Sequence, residues 1–208
     1  MRLFNHCPSC GSRDIFFDSV KKFSCKSCSF TFYQNVAAAV AAILEYDQKI
    51  LLIKRSNEPG KGKLDLPGGF LDPKETAEDA VKREISEELK INIRTMKYIA
   101  SYPNIYEYKN VLYHTCDLFF YSEINAIPTD FDKTEIEELI LVKPSETPID
   151  RIAFESTKMC LGILYNIQSS VWKVQINGFC QKGNDSERLV STQSDFECFV
   201  GVFHKSEL

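Results

Sequence analysis

The chain has 208 residues, a formal net charge of −4 and 44% hydrophobic residues. That suffices for one ordinary domain with a small appendage. The mild acidity argues against nucleic acid as a partner, and no apolar run is long enough to span a bilayer, which argues against a membrane partner. The start, MRLFNHCPSC, shows no apolar core of a signal peptide. Eight cysteines in a chain without such a signal point to a reducing, cytoplasmic setting with a metal site rather than a disulfide scaffold.

The first segment carries Cys7-Pro-Ser-Cys10 and, after an interval, Cys25-Lys-Ser-Cys28. Two C-x2-C pairs at this separation suit a tetrahedral four-cysteine Zn2+ site, which is usually closed and structural. Gly11, Ser27 and Ser29 suit tight turns around the metal, and Asp14–Asp18 and Lys22–Ser24 read as short strands. The segment resembles a zinc ribbon, assigned to residues 1–34. His6 is surplus to the ligand set and reads as a surface residue. Phe30–Asn35 reads as the exit from the ribbon.

Val36–Leu44 and Lys49–Lys54 read as two strands joined by a turn around Asp47. The Ala-rich first run could be helix by propensity, but its place before a hairpin argues for strand. Ser56–Lys63 is a loop with two glycines and a proline, followed by Leu64-Asp-Leu-Pro-Gly-Gly-Phe70.

Next comes GFLDPKETAEDAVKREISEELKI, Gly69–Ile91. Thr76 is a helix N-cap, with Asp79 as its back-bonding partner. On that helix Glu84, Glu87 and Glu88 share one stripe, beside an apolar stripe of Ala77, Val81, Ile85 and Leu89. Glutamates at these offsets repel one another by roughly 0.2–0.5 kcal/mol per pair when exposed. Two readings are open from the residues alone: a solvated face with Arg83 paired to Glu87, or a carboxylate set for a hard divalent cation such as Mg2+ or Mn2+.

The segment resembles the Nudix signature G-x5-E-x7-R-E-U-x-E-E-x-G-U, where U is a bulky aliphatic residue. Gly69, Glu75, Arg83, Glu84, Ile85, Glu87, Glu88 and Ile91 fall on its positions, and Lys90 stands where the late glycine belongs. The resemblance implies an α/β/α sandwich around a mixed sheet over residues 35–167, and hydrolysis of a nucleoside diphosphate linked to another moiety. It assigns Glu84, Glu87 and Glu88 as Mg2+ or Mn2+ ligands and Arg83 as the group that orients them. It gives Glu75 a supporting role, and Gly68 and Gly69 a place close to substrate phosphates. Beyond the box, Glu135-Ile-Glu-Glu138 resembles a segment bearing an accessory metal ligand or base. Glu138 is the candidate, with a solvated acidic loop as the alternative.

Met96–Tyr108 and Val111–Ile124 read as paired strands, Glu135–Val142 as a short strand and Ile152–Ile167 as the last helix, with Phe154, Leu161, Ile163 and Leu164 among its apolar positions. His114 reads as a satisfied, partly buried histidine. Residues 168–208, with the single Trp172 and a turn at Gly183, match no motif and read as an extension, loosely packed or disordered, with a small added element as the alternative. The order of ribbon then Nudix domain resembles the NADH pyrophosphatase branch and related enzymes acting on FAD and ADP-ribose. The NADH branch carries S-Q-P-W-P-F-P-x-S after the box. Here the run is Ser101-Tyr-Pro-Asn-Ile-Tyr-Glu-Tyr108, in which only Ser101 and Pro103 match. Tyr102, Tyr106 and Tyr108 are candidates to stack on a base, with core or rim packing as the alternative, and Tyr102 is the one assigned to the site. The expected activity is a pyrophosphohydrolase acting on NAD(H), ADP-ribose or FAD, with a small nucleotide as substrate and homodimerisation left open. The alternative is a Nudix sensor or a regulator that contacts nucleic acid through the ribbon.

Overall fold

The computed structural model describes residues 4–17, 21–109 and 111–165. The extension at 168–208, including Trp172, Cys180, the Gly183 turn and Cys198, lies outside the described residues.

The ribbon is a three-stranded antiparallel sheet of β1 (Ile15–Phe17), β2 (Lys22–Cys25) and β3 (Thr31–Tyr33). Phe30–Asn35, expected as an exit segment, contributes β3 instead. Thr31 and its two aromatic neighbours favour a strand, and Lys22, Phe23 and Ser24 pair with Tyr33, Phe32 and Thr31. Phe23 is buried, with the rings of Phe4, Phe17, Phe30 and Phe32 packed around it. Such a small apolar centre leaves much of the ribbon's cohesion to its cysteine end.

The second sheet contains β4 (Ala37–Tyr46), β5 (Lys49–Arg55), β6 (Leu64–Asp65), β7 (Gly68–Phe70), β8 (Lys97–Tyr108), β9 (Val111–Glu123) and β10 (Ile136–Val142). Its order is β10-β5-β4-β9-β8, with β6 beside β5 and β7 beside β4. β4 and β9 run parallel and the other pairs are antiparallel, so the sheet is mixed. The turn between β4 and β5 is two residues, Asp47 and Gln48, both at positive φ, as a tight hairpin demands. The Ala-rich run is strand because it is held on both edges, by β9 in register from Ala37 to Glu45 and by β5 and β7 on the other side. Tertiary pairing overrides helix propensity here.

One helix covers each face. α1 (Ala77–Leu89) buries Ala80, Val81, Ile85 and Leu89 with Val40, Leu44, Leu51, Ile53 and Ile136. α2 (Glu155–Leu164) buries Cys160 and Leu161 with Ile43, Ile50, Leu52 and Phe119. This is the expected α/β/α sandwich. α2 begins three residues later than the sequence reading, because Ile152 bridges to Leu64 and the Ala153 N–H bonds the Leu64 carbonyl at 2.8 Å. Of its expected apolar positions, Leu161 is buried, whereas Ile163 and Leu164 are exposed. His114 is exposed, contrary to the sequence expectation, because it lies near the start of β9, where Leu112 and Tyr113 are exposed as well. No described helix is long and apolar enough to cross a membrane.

Candidate active site

α1 starts where the sequence places it. The Thr76 hydroxyl accepts the Asp79 N–H at 3.1 Å and donates to the Asp79 carboxylate at 2.8 Å. It ends at Lys90, whose φ of 56° and ψ of 26° keep the left-handed geometry usual for glycine there. Substituting lysine has therefore not altered the helix exit. The Lys90 ammonium also donates to the Glu87 carbonyl at 2.6 Å.

The helix carries a charge network centred on Arg83. A guanidinium has five N–H donors in a fixed fork, and all of them are used. Nε and Nη2 grip the two Glu75 oxygens at 2.8 and 3.0 Å. Nη1 donates to Glu84 at 2.8 Å and to Glu87 at 3.1 Å, and Nη2 also donates to the Phe70 carbonyl at 3.0 Å. The Arg83–Glu87 pair of the solvated-face reading exists, but as one spoke of five. Glu75 in turn accepts the Asp72 N–H at 3.0 Å, which fixes the loop entering the helix. Arg83, its largest influence, holds the Glu75 carboxyl below the usual carboxylate range.

The other box carboxylates are poised differently. Glu88 is only 5% exposed, and burial pushes its carboxyl well above the usual range, with further upward pressure from Glu84, Glu135 and Asp65. Its recorded hydrogen bond is from the Gly68 N–H at 2.9 Å. Glu84 is partly buried and also raised, by burial first and by the charges of Glu87 and Glu135, against the opposing pull of Arg83. Glu87 is exposed. α1 thus carries a buried carboxylate, a half-buried one and an exposed one, with more negative charge than Arg83 offsets. Oxygen donors are the chemistry that suits a hard divalent ion, but among the described residues only the four cysteines bring three or more ligand atoms within 4.8 Å of one another.

Gly68 and Gly69 are required by close packing of β7. A Cβ on Gly68 would lie 2.1 Å from the Val40 carbonyl oxygen, at a φ of 149°, and one on Gly69 would lie 2.4 Å from Glu84 Oε1. β7 is thereby wedged between β4 and the box.

Glu138 is exposed on β10, opposite Lys54 in the ladder. The strand alternation puts it with Ile140 and Val142, which pack on the α2 side, whereas Leu139 and Leu141 pack on the α1 side. It therefore faces away from α1. A bulge between Ile136 and Glu138, invisible in the sequence, sets this phase. Glu135, at the start of the same acidic cluster, is the residue whose charge reaches Glu84 and Glu88. Tyr102 packs its ring on Phe119 at 6.0 Å, in the α2-side cluster. It is not among the residues lining the cleft, where Asn104 and Tyr106 of the same strand stand instead.

The inner cleft, about 70 Å³, has a polar floor that sequence reasoning missed. Buried Asp65 accepts from Arg55 at 3.1 Å, from Thr157 at 3.0 Å and from the Leu66 N–H at 2.9 Å. Burial raises its carboxyl to about 6 despite these partners. Buried Asp117 accepts from Thr115 at 2.6 Å and from Ser156 at 2.5 Å. Ser156 and Thr157 thus pin the start of α2 to the sheet through two acids. The one signal in the sequence is an aspartate set between leucines, Leu64-Asp65-Leu66.

At the other end of the chain, the sulfurs of Cys7, Cys10, Cys25 and Cys28 all lie within 4.8 Å of one another. Cys7 to Cys28 and Cys10 to Cys25 are each 3.7 Å apart. Thiolates about 2.3 Å from a tetrahedral zinc sit about 3.8 Å from each other, so the cluster fits Zn2+. Gly11, at φ 72°, and Ser29, at φ 59°, form the turns expected beside the pairs. His6 is outside the cluster, exposed, and accepts from Arg13 at 3.0 Å. Cys116 and Cys160 are free thiols.

Fold and site together define a mixed-sheet sandwich with a carboxylate-bearing helix on one face. Residues 34–160 match the family described as the NUDIX domain, and the chain belongs to this family. It is 56% identical over 59 residues to an ADP-ribose pyrophosphatase of Methanocaldococcus jannaschii, a match covering 28% of this chain and 35% of that protein. It is 27% identical over 164 residues to the NAD-capped RNA hydrolase NudC of Photorhabdus laumondii, covering 76% of this chain and 62% of the relative. The chain thus spans less than two thirds of the length of these curated relatives. Among solved structures, a MutT NUDIX hydrolase from Burkholderia pseudomallei superposes with a TM-score of 0.55 at 27% identity, covering 62% of this chain and 97% of that one.

Proposed function

We propose that this chain is a Mg2+- or Mn2+-dependent pyrophosphohydrolase. It cleaves the pyrophosphate of a nucleoside diphosphate derivative of the NAD(H), ADP-ribose or FAD class and releases a nucleoside monophosphate. The observation that carries this reading is the saturated Arg83 fork, which orients Glu75, Glu84 and Glu87 beside a buried, under-compensated Glu88. When bound, the divalent ion neutralises phosphate oxygens and lowers the pKa of water. The protein's own part is positional. Arg83 and the Gly68 N–H fix the carboxylates, and burial keeps Glu88 out of reach of bulk water, where its interaction with a cation is strongest. Glu135, rather than Glu138, is the accessory carboxylate on this reading, since its charge is felt by both Glu84 and Glu88.

The thiol cluster holds a structural Zn2+ and belongs to a reducing compartment, the cytoplasm. The retained carboxylate set favours an enzyme over a sensor. The test is a panel of NADH, NAD, ADP-ribose, FAD, diadenosine polyphosphates and nucleoside triphosphates with Mg2+ or Mn2+. Release of a nucleoside monophosphate from at least one of NAD(H), ADP-ribose and FAD is expected. Much faster turnover of triphosphates than of all three would sink the substrate assignment.

A further inference from the structure

We infer that the tip of the β8–β9 hairpin forms a stacking site for the planar ring of the substrate, with the cross-strand pair Tyr106 and Tyr113 as its specificity-determining walls. The inference rests on the reading of this protein as a hydrolase of nucleoside diphosphate derivatives, and adds where the ring goes and which side chains select it.

A second cavity, of about 330 Å³, adjoins the inner cleft and is lined by Ala37, Phe70, Tyr106, Tyr108 and Tyr113. Tyr106 and Tyr113 are register partners on β8 and β9, so their side chains leave the same face of the ladder. Phe70 meets Tyr106 edge-on at 5.2 Å, and Tyr108 lies 6.5 Å from Tyr106. Phe70, Tyr108 and Tyr113 remain 39%, 43% and 40% exposed. A cluster of aromatic surface left open to water around a cavity is a mark of a binding site. None of the lining residues is charged, so the cavity suits a flat, neutral ring and not a phosphate.

What ties this cavity to the substrate is β7. The two cavities share Phe70 and Tyr106. The Phe70 carbonyl is held by Arg83, and the Gly68 N–H is held by Glu88, while the Phe70 ring forms a cavity wall. One three-residue strand thus fixes the separation between the carboxylate box and the aromatic walls. A molecule with its pyrophosphate at the box and a ring at one end can fill both. The smaller inner cleft, floored by Asp65 and Asp117, has no room for such a ring.

Tyr106 is backed from the far side by Phe154, 5.7 Å away, which lies under the Arg55 guanidinium at 4.9 Å. This stack holds the Tyr106 ring in place before a ligand arrives. Tyr113 has no recorded ring partner among the described residues, so its free face is open for stacking.

The test uses the full chain and two readouts. Binding of AMP, measured by calorimetry, should weaken about tenfold in Tyr113→Ala, the size expected for loss of one stacking partner, and recover in Tyr113→Phe. With whichever dinucleotide the wild type hydrolyses, Tyr113→Ala should raise KM by a similar factor and change kcat less than twofold, the pattern of lost uniform binding. Leu112→Ala, an equally exposed neighbour on the opposite face of the strand, should change neither. Unaltered AMP affinity and KM in Tyr113→Ala would overturn the stacking site while leaving the hydrolase reading intact. Failure of the wild type to hydrolyse any dinucleotide would remove that reading, and AMP binding would still decide the inference.

Discussion

The ribbon and the carboxylate helix each gather candidate metal ligands, and they hold them in opposite ways. In the ribbon, the four sulfurs converge at the spacing a tetrahedral ion imposes. In the helix, Arg83 supplies an internal counter-charge and occupies Glu75, Glu84 and Glu87, while Glu88 is buried and Glu87 is open to solvent. The first arrangement is closed and suits a structural ion. The second is held together without a metal and keeps an exposed side, as a site that exchanges substrate requires. Loss of metal should therefore unfold one region and merely silence the other.

The largest expected effect is on turnover. Glu87→Gln and Glu88→Gln should each slow hydrolysis by about two orders of magnitude or more, because glutamine keeps the shape but loses the ligand charge. Their stabilities should diverge. The metal-free Glu88→Gln protein should melt no lower than wild type, since its glutamine can still accept from Gly68 and no longer buries a charge. Mg2+ should raise its melting temperature less than that of wild type. Within the same series, Glu135→Gln should slow turnover and Glu138→Gln should not. Normal activity with a full Mg2+-induced melting shift in both Glu87→Gln and Glu88→Gln would leave only the solvated-face interpretation.

The ribbon should give the converse result. Cys25→Ser should abolish zinc retention and lower the ribbon's melting transition, because the metal contributes folding energy directly. Activity per folded molecule should fall far less than in the glutamate variants. Elemental analysis of the purified wild type should return one zinc per chain, and zinc-free wild type would break the contrast between the two regions.

The cysteine cluster and the carboxylate helix were legible in the sequence for the same reason: their residues are close along the chain at offsets fixed by a helix or by a paired turn. The cleft walls were not. Asp65, Asp117 and Phe154 come together with Tyr106, one of the three tyrosines the sequence offered, through strand register and the docking of α2, which local spacing does not encode. The placement of Glu138 on the α2 side of β10 has the same origin. One extra residue in a strand reverses which face each side chain takes, and the bulge after Ile136 lies in a run of glutamates that offers no apolar alternation to reveal it. Tyr102 shares a strand face with Asn104 and Tyr106, but sits farther along it, over Phe119. Sequence identified the strand correctly but could not say how far along it the cleft ends.

The polar floor makes a smaller, pH-dependent contribution. Asp65 has its carboxyl raised from 3.8 to about 6 by burial. A carboxyl raised on folding binds more protons in the folded state, so its stabilising contribution is complete below the unfolded value and is lost as pH rises through the folded one. Across that window the loss is on the order of 3 kcal/mol. Melting of the metal-free protein between pH 4 and 7 should therefore fall more steeply in wild type than in Asp65→Asn. The variant is expected to be less stable in absolute terms, because it weakens the bond to Arg55, so the slope is the diagnostic quantity. Equal slopes would mean that Asp65 is ionised throughout and fully compensated by Arg55.

The smallest effect sharpens the account of the helix end. Lys90 adopts φ 56° and ψ 26°, a conformation that costs a non-glycine residue roughly 1 kcal/mol. Lys90→Gly relieves that cost but forfeits the ammonium bond to the Glu87 carbonyl at 2.6 Å, which caps the negative end of the helix. That bond is exposed and contributes about 0.3–1 kcal/mol. The two terms nearly cancel, with backbone relief the larger, so Lys90→Gly should raise the melting temperature slightly in low salt. The gain should grow as added salt screens the lysine's interaction with the helix end. The backbone path is the same for either residue, so Glu87 and Glu88 keep their places and turnover should not change. A variant that melts lower than wild type at every salt concentration would show that the lysine's bond to the helix end outweighs the strain it imposes.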